Sequence, residues 1–144
     1  MENSKYKEIV KVKKQKLKDI ENQLLDVRNR KLSIEKKIEH VELRIVEFKQ
    51  PTAGGFGELQ QSRHSFSLIL LEKEELKEKL EVRIKQIEGL ELLYKEANIE
   101  HEKILHLHED EIDKMLQLQK AQESKDMDEI ANILFVNKRK KDQR

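Results

Sequence analysis

Three histidines and four acidic residues lie close together in the second half of the chain, and both residue types bind divalent metals. They are His101, His106, His108, Glu102, Glu109, Asp110 and Glu111. A metal site requires three or four ligands that converge on one ion. His101 and His108 are seven residues apart, which puts them on one face of a helix but too far apart to share an ion. The spacing therefore favours polar positions on a helix face, and no metal site is predicted.

The chain ends in a basic cluster, Lys138-Arg139-Lys140-Lys141, followed by Arg144. Such a tail can bind nucleic acid, but no aromatic residues are interleaved with the basic ones and no recognition fold accompanies them. A solvated terminus or a contact with an acidic protein surface is the favoured alternative. The sequence also contains no phosphate-binding loop, nucleophile triad or pair of carboxylates in a cleft. We therefore predict no enzymatic activity, no cofactor and no nucleic-acid partner.

The composition is that of a long helical protein rather than a compact globule. Charged residues make up 41% of the chain and hydrophobic residues only 36%, with no tryptophan and no cysteine. This balance excludes a thick apolar core and a disulfide scaffold. Disordered chains of equal charge lack the regular apolar spacing found here. The charged N-terminus contains no apolar run, so neither a signal sequence nor a transmembrane helix is expected and the protein is predicted to be soluble. The lack of cysteine favours an intracellular location.

The first half of the chain carries apolar residues in unbroken alternating steps of three and four, which is the a/d pattern of a left-handed coiled coil. The pattern predicts a helix over about residues 5–50. Lys13 and Lys31 interrupt it, and we expect their stems to lie along the apolar stripe with the ammonium groups in water. A catalytic lysine would need a pocket, which two paired helices do not provide. The positions are Tyr6, Val10, Lys13, Leu17, Ile20, Leu24, Val27, Lys31, Ile34, Ile38, Val41, Ile45 and Phe48.

Residues 51–57 contain the only proline and three of the four glycines, so they predict a tight reversal of the chain. Pro51 ends the first helix because its ring blocks continuation. Phe56 lies among the glycines with no local pattern to bury it. Two interpretations remain open: Phe56 packs on Phe48 and Leu59, or it is an exposed aromatic anchor.

Apolar residues at helical spacing resume after the loop and predict a second helix over about residues 58–123, with an uncertain start. Its apolar stripe is wider than that of a two-stranded coiled coil, which indicates contact with more than one neighbour. Gly89 lies inside this helix and costs about 1 kcal/mol relative to alanine. Around Ser124 the heptads stop. Asp126 and Glu129 have the spacing of a capping box, which predicts a separate short helix through Val136 within a terminal segment, 124–144.

Together these elements predict an all-α protein: one long antiparallel two-helix coiled-coil hairpin spanning 1–144, with the longer helix second. Up to Gln50 the chain has 14 lysines and arginines against 9 acids, and from Pro51 to Glu123 it has 10 against 16, so the helices attract each other. A symmetric reversal at the loop is expected to bring Val27 near Leu80 and Tyr6 near His101.

The second helix then extends past the N-terminal end of the first helix. This leaves part of the apolar stripe of the second helix exposed, namely Ile104, Ile112, Met115 and Leu118. A second copy of the chain, the folded-back C-terminal segment or another protein can cover this surface. The free chain is expected to be monomeric and of marginal stability, because two paired helices bury little surface for the entropy that they lose.

The chain resembles the FliJ family, small cytoplasmic proteins of the flagellar type III export apparatus. The resemblance covers nearly the whole length: a basic first helix beginning Lys11-Val12-Lys13-Lys14-Gln15-Lys16-Leu17, a loop with glycines, a longer acidic second helix, and the segment Lys125-Asp126-Met127-Asp128-Glu129-Ile130-Ala131 before a basic end. It implies a stalk-like coiled coil in the ring of the export ATPase FliI, with contacts to the export gate protein FlhA and to export chaperones. It also implies a peripheral position at the cytoplasmic face of the membrane export apparatus, without membrane insertion.

On this resemblance the open end of the hairpin would face the ATPase and the loop end would face the gate. The residues expected to face the ATPase are Lys11, Lys14, Lys18, Met127, Ile130, Lys138, Arg139 and Lys140. Those expected to face the gate are Phe48, Phe56 and Phe66. Two alternatives stay open: the stalk protein of a virulence type III secretion system, and a generic homodimeric coiled-coil scaffold or adaptor.

Overall fold

The computed structural model describes residues 4–49 and 54–142, and this part of the chain forms two helices. Helix α1 spans Lys7–Glu47 and helix α2 spans Phe56–Asp142. The described residues contain no strand. The predicted all-α class with a longer second helix is therefore confirmed. The hinge residues Pro51, Thr52 and Ala53 and the terminal Arg144 lie outside the described residues.

Internal contacts divide the chain into two compact units. One unit runs from Gln15 to Asn98 and contains most of α1 and the first part of α2. The other contains the start of α1, through Lys14, and α2 from Ile99 onward.

In the unit Gln15–Asn98, the two helices form the predicted antiparallel coiled-coil hairpin. Every position of the predicted apolar stripe in this unit, from Leu17 to Phe48, is buried or half-buried. Each buried Leu or Ile side chain contributes about 1.5 to 3 kcal/mol. One cluster consists of Leu17, Ile20, Leu24 and Ala97, with Ile87, Leu90 and Tyr94 packed against it. The other consists of Ile34, Val41 and Leu76, with Ile38, Ile45, Ile69 and Leu80 packed against it.

The predicted register of the two helices is wrong by about one heptad. Val27 lies beside Gly89 and Leu90 rather than Leu80. Three contacts define the register: Arg28 Nη2 with Glu91 Oε1 (3.2 Å), Arg44 Nη1 with Glu72 Oε2 (2.9 Å), and the rings of Phe48 and Phe66, whose centroids are 4.9 Å apart.

The register differs because the reversal is not symmetric about the loop. Helix α2 begins at Phe56, directly after Gly54 and Gly55, and the end of α1 meets it at Phe66, more than two turns later. A pairing one heptad away would keep apolar residues opposite apolar residues. It would, however, put Arg28 opposite Ile84 and remove its ion pair with Glu91.

Tyr94 is hydrogen-bonded across this hairpin, because its hydroxyl donates to Oε1 of Glu21 at 3.2 Å. The hydrogen bond and the negative charge of Glu21 raise the pKa of Tyr94 above its ordinary value of 10.0. The neutral phenol is thus favoured in the folded state. The interaction contributes stability below pH 10 that is lost as the pH rises through the raised pKa.

We expect Glu21→Gln to lower the pKa of Tyr94, since glutamine accepts a hydrogen bond but carries no charge. Tyrosinate absorbance measures the titration. A Tyr6→Phe background leaves Tyr94 as the only tyrosine, because the chain has two. An unchanged midpoint in the Glu21 variant would contradict the assigned cause.

In the other unit, Ser4 caps the start of α1. The Tyr6 amide donates to Ser4 Oγ and the Lys7 amide donates to the Ser4 carbonyl, both at 3.1 Å. Lys13 Nζ pairs with Glu100 Oε2 at 2.9 Å, as expected for a lysine whose stem follows the apolar stripe. The prediction that Tyr6 lies near His101 is therefore wrong. Because Lys13 already lies opposite Glu100, Tyr6, which comes two turns earlier in the chain, cannot also lie opposite His101.

Helix α2 continues through Ser124, where the sequence predicted an interruption and a separate short helix. The side chain of Asp126, expected to cap that helix, accepts a hydrogen bond from Gln122 Nε2 at 3.0 Å. Gln119 and Glu123 form a similar pair one turn earlier, at 3.4 Å. These i,i+4 bonds stabilise a continuing helix, and no proline or glycine follows Gly89 to stop it.

Candidate partner-binding surfaces

The last 30 described residues of α2, 113–142, are exposed without exception, and we call this segment the C-terminal arm. At 1.5 Å per residue the arm is about 45 Å long. Leu118 is 72% exposed, Met127 68% and Phe135 65%. Isolated exposed apolar residues are common, but a helix that leaves this many uncovered is typical of a surface that binds a partner.

Four apolar residues near the end of the arm lie on one face of the helix, while Phe135 and Val136 lie on other faces. Met127, Ile130 and Leu134 follow each other at steps of three and four, with Ile133 beside them. Lys138, Arg139 and Lys140 follow within the last turns of the helix, where cations interact favourably with the helix dipole. The arrangement suits an apolar partner surface with an acidic margin.

Of the three phenylalanines predicted to face the gate, one is exposed and two pack against each other. Phe56 is the first residue of α2 and is 79% exposed. Phe48 and Phe66 are half-buried and in contact with each other, with their rings tilted by 37°. Of the two interpretations of Phe56, the structure supports the exposed aromatic.

Comparison with known proteins identifies the family. The family model described as "Flagellar FliJ protein" matches residues 2–140 of the 144. The chain belongs to the FliJ family. Comparisons with curated proteins and with solved structures gave no match. Membership supports a role in flagellar protein export.

The basic residues predicted to face the ATPase form two patches in this FliJ-family protein. Lys11 and Lys14 are exposed near the start of α1, where neighbouring Lys13 binds Glu100. Lys138 lies 38 residues after Glu100, about 57 Å along α2. A partner that contacts both patches must therefore be large. Lys18 is exposed and belongs to the unit Gln15–Asn98.

The four residues predicted to form an uncovered apolar stripe differ in their exposure. Ile104 and Ile112 are half-buried, whereas Met115 is 41% and Leu118 72% exposed. The register explains the difference, because the start of α1 lies one heptad further along α2 than expected. The uncovered surface of this FliJ-family protein therefore begins after Ile112, not after His101.

His101 and His108 are half-buried at positions that continue the apolar stripe of α2. The Nδ1 atom of His108 is buried and has no hydrogen-bond partner within the described chain. His106 is exposed, with Nε2 3.6 Å from Asp110 Oδ2. Residues 4–49 and 54–142 contain no group of three or more potential ligands that could hold a metal ion.

Neither of the two helices, as far as the structure describes them, contains a stretch apolar enough and of sufficient length to span a lipid bilayer.

Proposed function

We propose that this FliJ-family protein is a non-enzymatic coiled-coil stalk of the flagellar export ATPase. In this role it inserts into the FliI-like ring and links that ring to the FlhA-like export gate and to export chaperones. The observation that carries the proposal is the C-terminal arm, a formed helix on which every described residue is exposed. A ring with a central channel is a partner that can surround such a helix.

The arm and the start of α1 are the proposed ATPase contacts. Met127 and Ile130 would enter apolar surface inside the ring, while Lys138, Arg139 and Lys140 would meet acidic side chains. Lys11, Lys14 and Lys18 would contact a different part of the ring, because Glu100, the partner of neighbouring Lys13, lies about 57 Å from Lys138 along α2.

The loop end is the proposed gate contact, with Phe56 as its exposed anchor. Aromatic side chains are enriched among the residues that dominate binding energy. The packed pair Phe48 and Phe66 would hold the start of α2 in place and reduce the entropy that Phe56 loses on binding.

The test is light scattering and ATPase rate measured together, for the full chain and for a chain truncated after Ile112, each mixed with the flagellar ATPase and a non-hydrolysed nucleotide. The full chain should drive the ATPase into rings and, with ATP, raise its turnover. The truncated chain should lose at least about nine-tenths of that effect, since a central contact surface is removed.

Two controls separate the alternatives. Circular dichroism of the truncated chain should show intact helix pairing, because the deleted described residues are exposed. The ATPase of a virulence type III system, tested in parallel, should respond more weakly than the flagellar one. A tight homodimer that leaves both ATPases unchanged would overturn the stalk assignment and favour a scaffold.

A further inference from the structure

The apolar face of the C-terminal arm has an acidic residue before it and a basic residue after it, at equal distances. Ile130 and Leu134 form the middle of this face. Glu123 lies one heptad before Ile130, on the same side of the helix. Lys141 lies one heptad after Leu134, again on that side. The face is therefore symmetric in position, but opposite in charge, about its midpoint at Asn132.

The other charges of the segment centred on Asn132, residues 122–142, repeat this separation. On the apolar side and its edges the acids precede Asn132 and the bases follow it; they are Glu123, Asp126, Glu129, Lys138, Lys140 and Lys141. The opposite side carries two bases and two acids, namely Lys125, Arg139, Asp128 and Asp142. Lys120, the next charge on the apolar side, precedes the segment. Neither side of the segment has a net charge, but the charges of the apolar side are separated along the helix axis.

The two acids closest to the apolar face have neutral hydrogen-bond partners on their own helix. Oε1 of Glu123 accepts a hydrogen bond from Nε2 of Gln119 at 3.4 Å. Oδ1 of Asp126 accepts one from Nε2 of Gln122 at 3.0 Å. Amide donors carry no charge, so a cation of another chain is still the complementary partner for each carboxylate.

We propose that two copies of the chain pair through their C-terminal arms, in an antiparallel arrangement centred on Asn132. In this register Ile130 of one copy lies opposite Leu134 of the other. Glu123 of each copy lies opposite Lys141 of the other. Ion pairs thus close both ends of the contact, and apolar side chains that are exposed in the single chain are removed from water.

The positions that flank this contact fit the same register. The two copies of Ile133 meet at the centre, and Asp126 of each copy lies opposite Lys140 of the other. Each charge pair occurs twice, because the arrangement has two-fold symmetry. A parallel pair would put every acid opposite the same acid and every base opposite the same base, which is unfavourable. The separation of charge therefore selects the antiparallel pair.

The contact is short, so the pair should be weak and reversible. Residues 122–142 extend over about 32 Å, and two helices of this length bury less than a standard interface of about 1,600 Å². We expect a dissociation constant of about 100 µM. The pair requires only copies of this chain and does not rest on the proposed function. Because an ATPase ring would use the same apolar face, the pair must dissociate before the arm enters a ring.

Sedimentation equilibrium of the full chain, without any ATPase, tests the proposal. The weight-average mass should be close to 17.2 kDa at about 10 µM and should rise toward that of a dimer at about 1 mM. Two variants reverse the charges at one end of the face: Glu123→Lys with Asp126→Lys, and Lys140→Glu with Lys141→Glu. Each should self-associate at least about tenfold more weakly, because like charges then lie opposite each other. An equimolar mixture of the two variants should associate like the wild type, which also shows that both fold.

The matched control is Lys114→Glu with Lys125→Glu. It changes the net charge as much as the Lys140 and Lys141 variant does, but both positions are exposed away from the apolar side, so it should associate like the wild type. A mass that stays at 17.2 kDa up to about 1 mM would overturn the proposal, as would an equal loss in the control. Equal association by the wild type and both reversed variants would also overturn it, since that result is expected of a parallel pair.

Discussion

Replacing Leu24 by alanine should lower the free energy of unfolding by about 2 to 5 kcal/mol, whereas the same change at Leu25 should cost less than about 0.5 kcal/mol. The two residues are adjacent and chemically identical. Leu24 is 6% exposed within the cluster that holds Leu17, Ile20 and Ala97, and Leu25 is 60% exposed. Truncating Leu24 therefore removes buried apolar surface and leaves a cavity, while truncating Leu25 removes little of either.

Urea denaturation followed by helical circular dichroism measures both effects. The pair is internally controlled, since the two variants lose the same atoms and have the same change in helix propensity. A cost at Leu25 equal to that at Leu24 would contradict the position of α1 in the hairpin. A small cost at both would show that these helices do not pair in solution as described.

Introducing glutamate at Ile130 and Leu134 together should reduce stimulation of the export ATPase more than about tenfold without changing the thermal midpoint. Ile130 is 54% and Leu134 63% exposed, so folding does not bury either side chain. A partner that buries both would have to desolvate two unpaired carboxylates, which costs far more than the lost apolar contact. Asn132→Glu, exposed on the opposite face of the arm, is the control and should retain stimulation of the ATPase.

A second variant separates apolar from electrostatic binding on the arm. Neutralising Lys138, Arg139 and Lys140 with glutamine should slow association and weaken its salt dependence, while the complex formed at high protein concentration stays active. Retained stimulation in the Ile130 and Leu134 variant, with loss only in the neutralised one, would show that the arm binds through its charges alone.

The helices and the apolar stripe of α1 could be predicted because they depend on local periodicity. Steps of three and four put one face of a helix in contact with its partner, and all thirteen positions of the predicted stripe, from Tyr6 just before α1 to Phe48 just after it, are buried or half-buried. The glycines and Pro51 likewise predicted a change of direction. The resemblance to the FliJ family depended on this same layout, and the family match covers it.

The predicted interruption at Ser124 is wrong because a capping-box spacing does not exclude side-chain hydrogen bonds that continue the helix. Asp126 with Glu129 has the spacing of a helix start, yet the same aspartate accepts an equally local bond from Gln122 inside a continuing helix. Sequence spacing does not distinguish these two uses of one carboxylate. The length of the C-terminal arm therefore emerged only from the structure.

The sequence by itself determined that two helices pair and which face of α1 is buried, since a heptad pattern defines a face. The tertiary structure alone decided which heptad lies opposite which, because a shift by seven residues leaves the apolar pattern almost unchanged. The choice depends on pairs formed across the helices, such as Arg28 with Glu91 and Phe48 with Phe66. That choice puts Gly89 beside Val27 and leaves the arm uncovered from Asp113 onward. The candidate surfaces therefore follow from long-range contacts that periodicity does not encode.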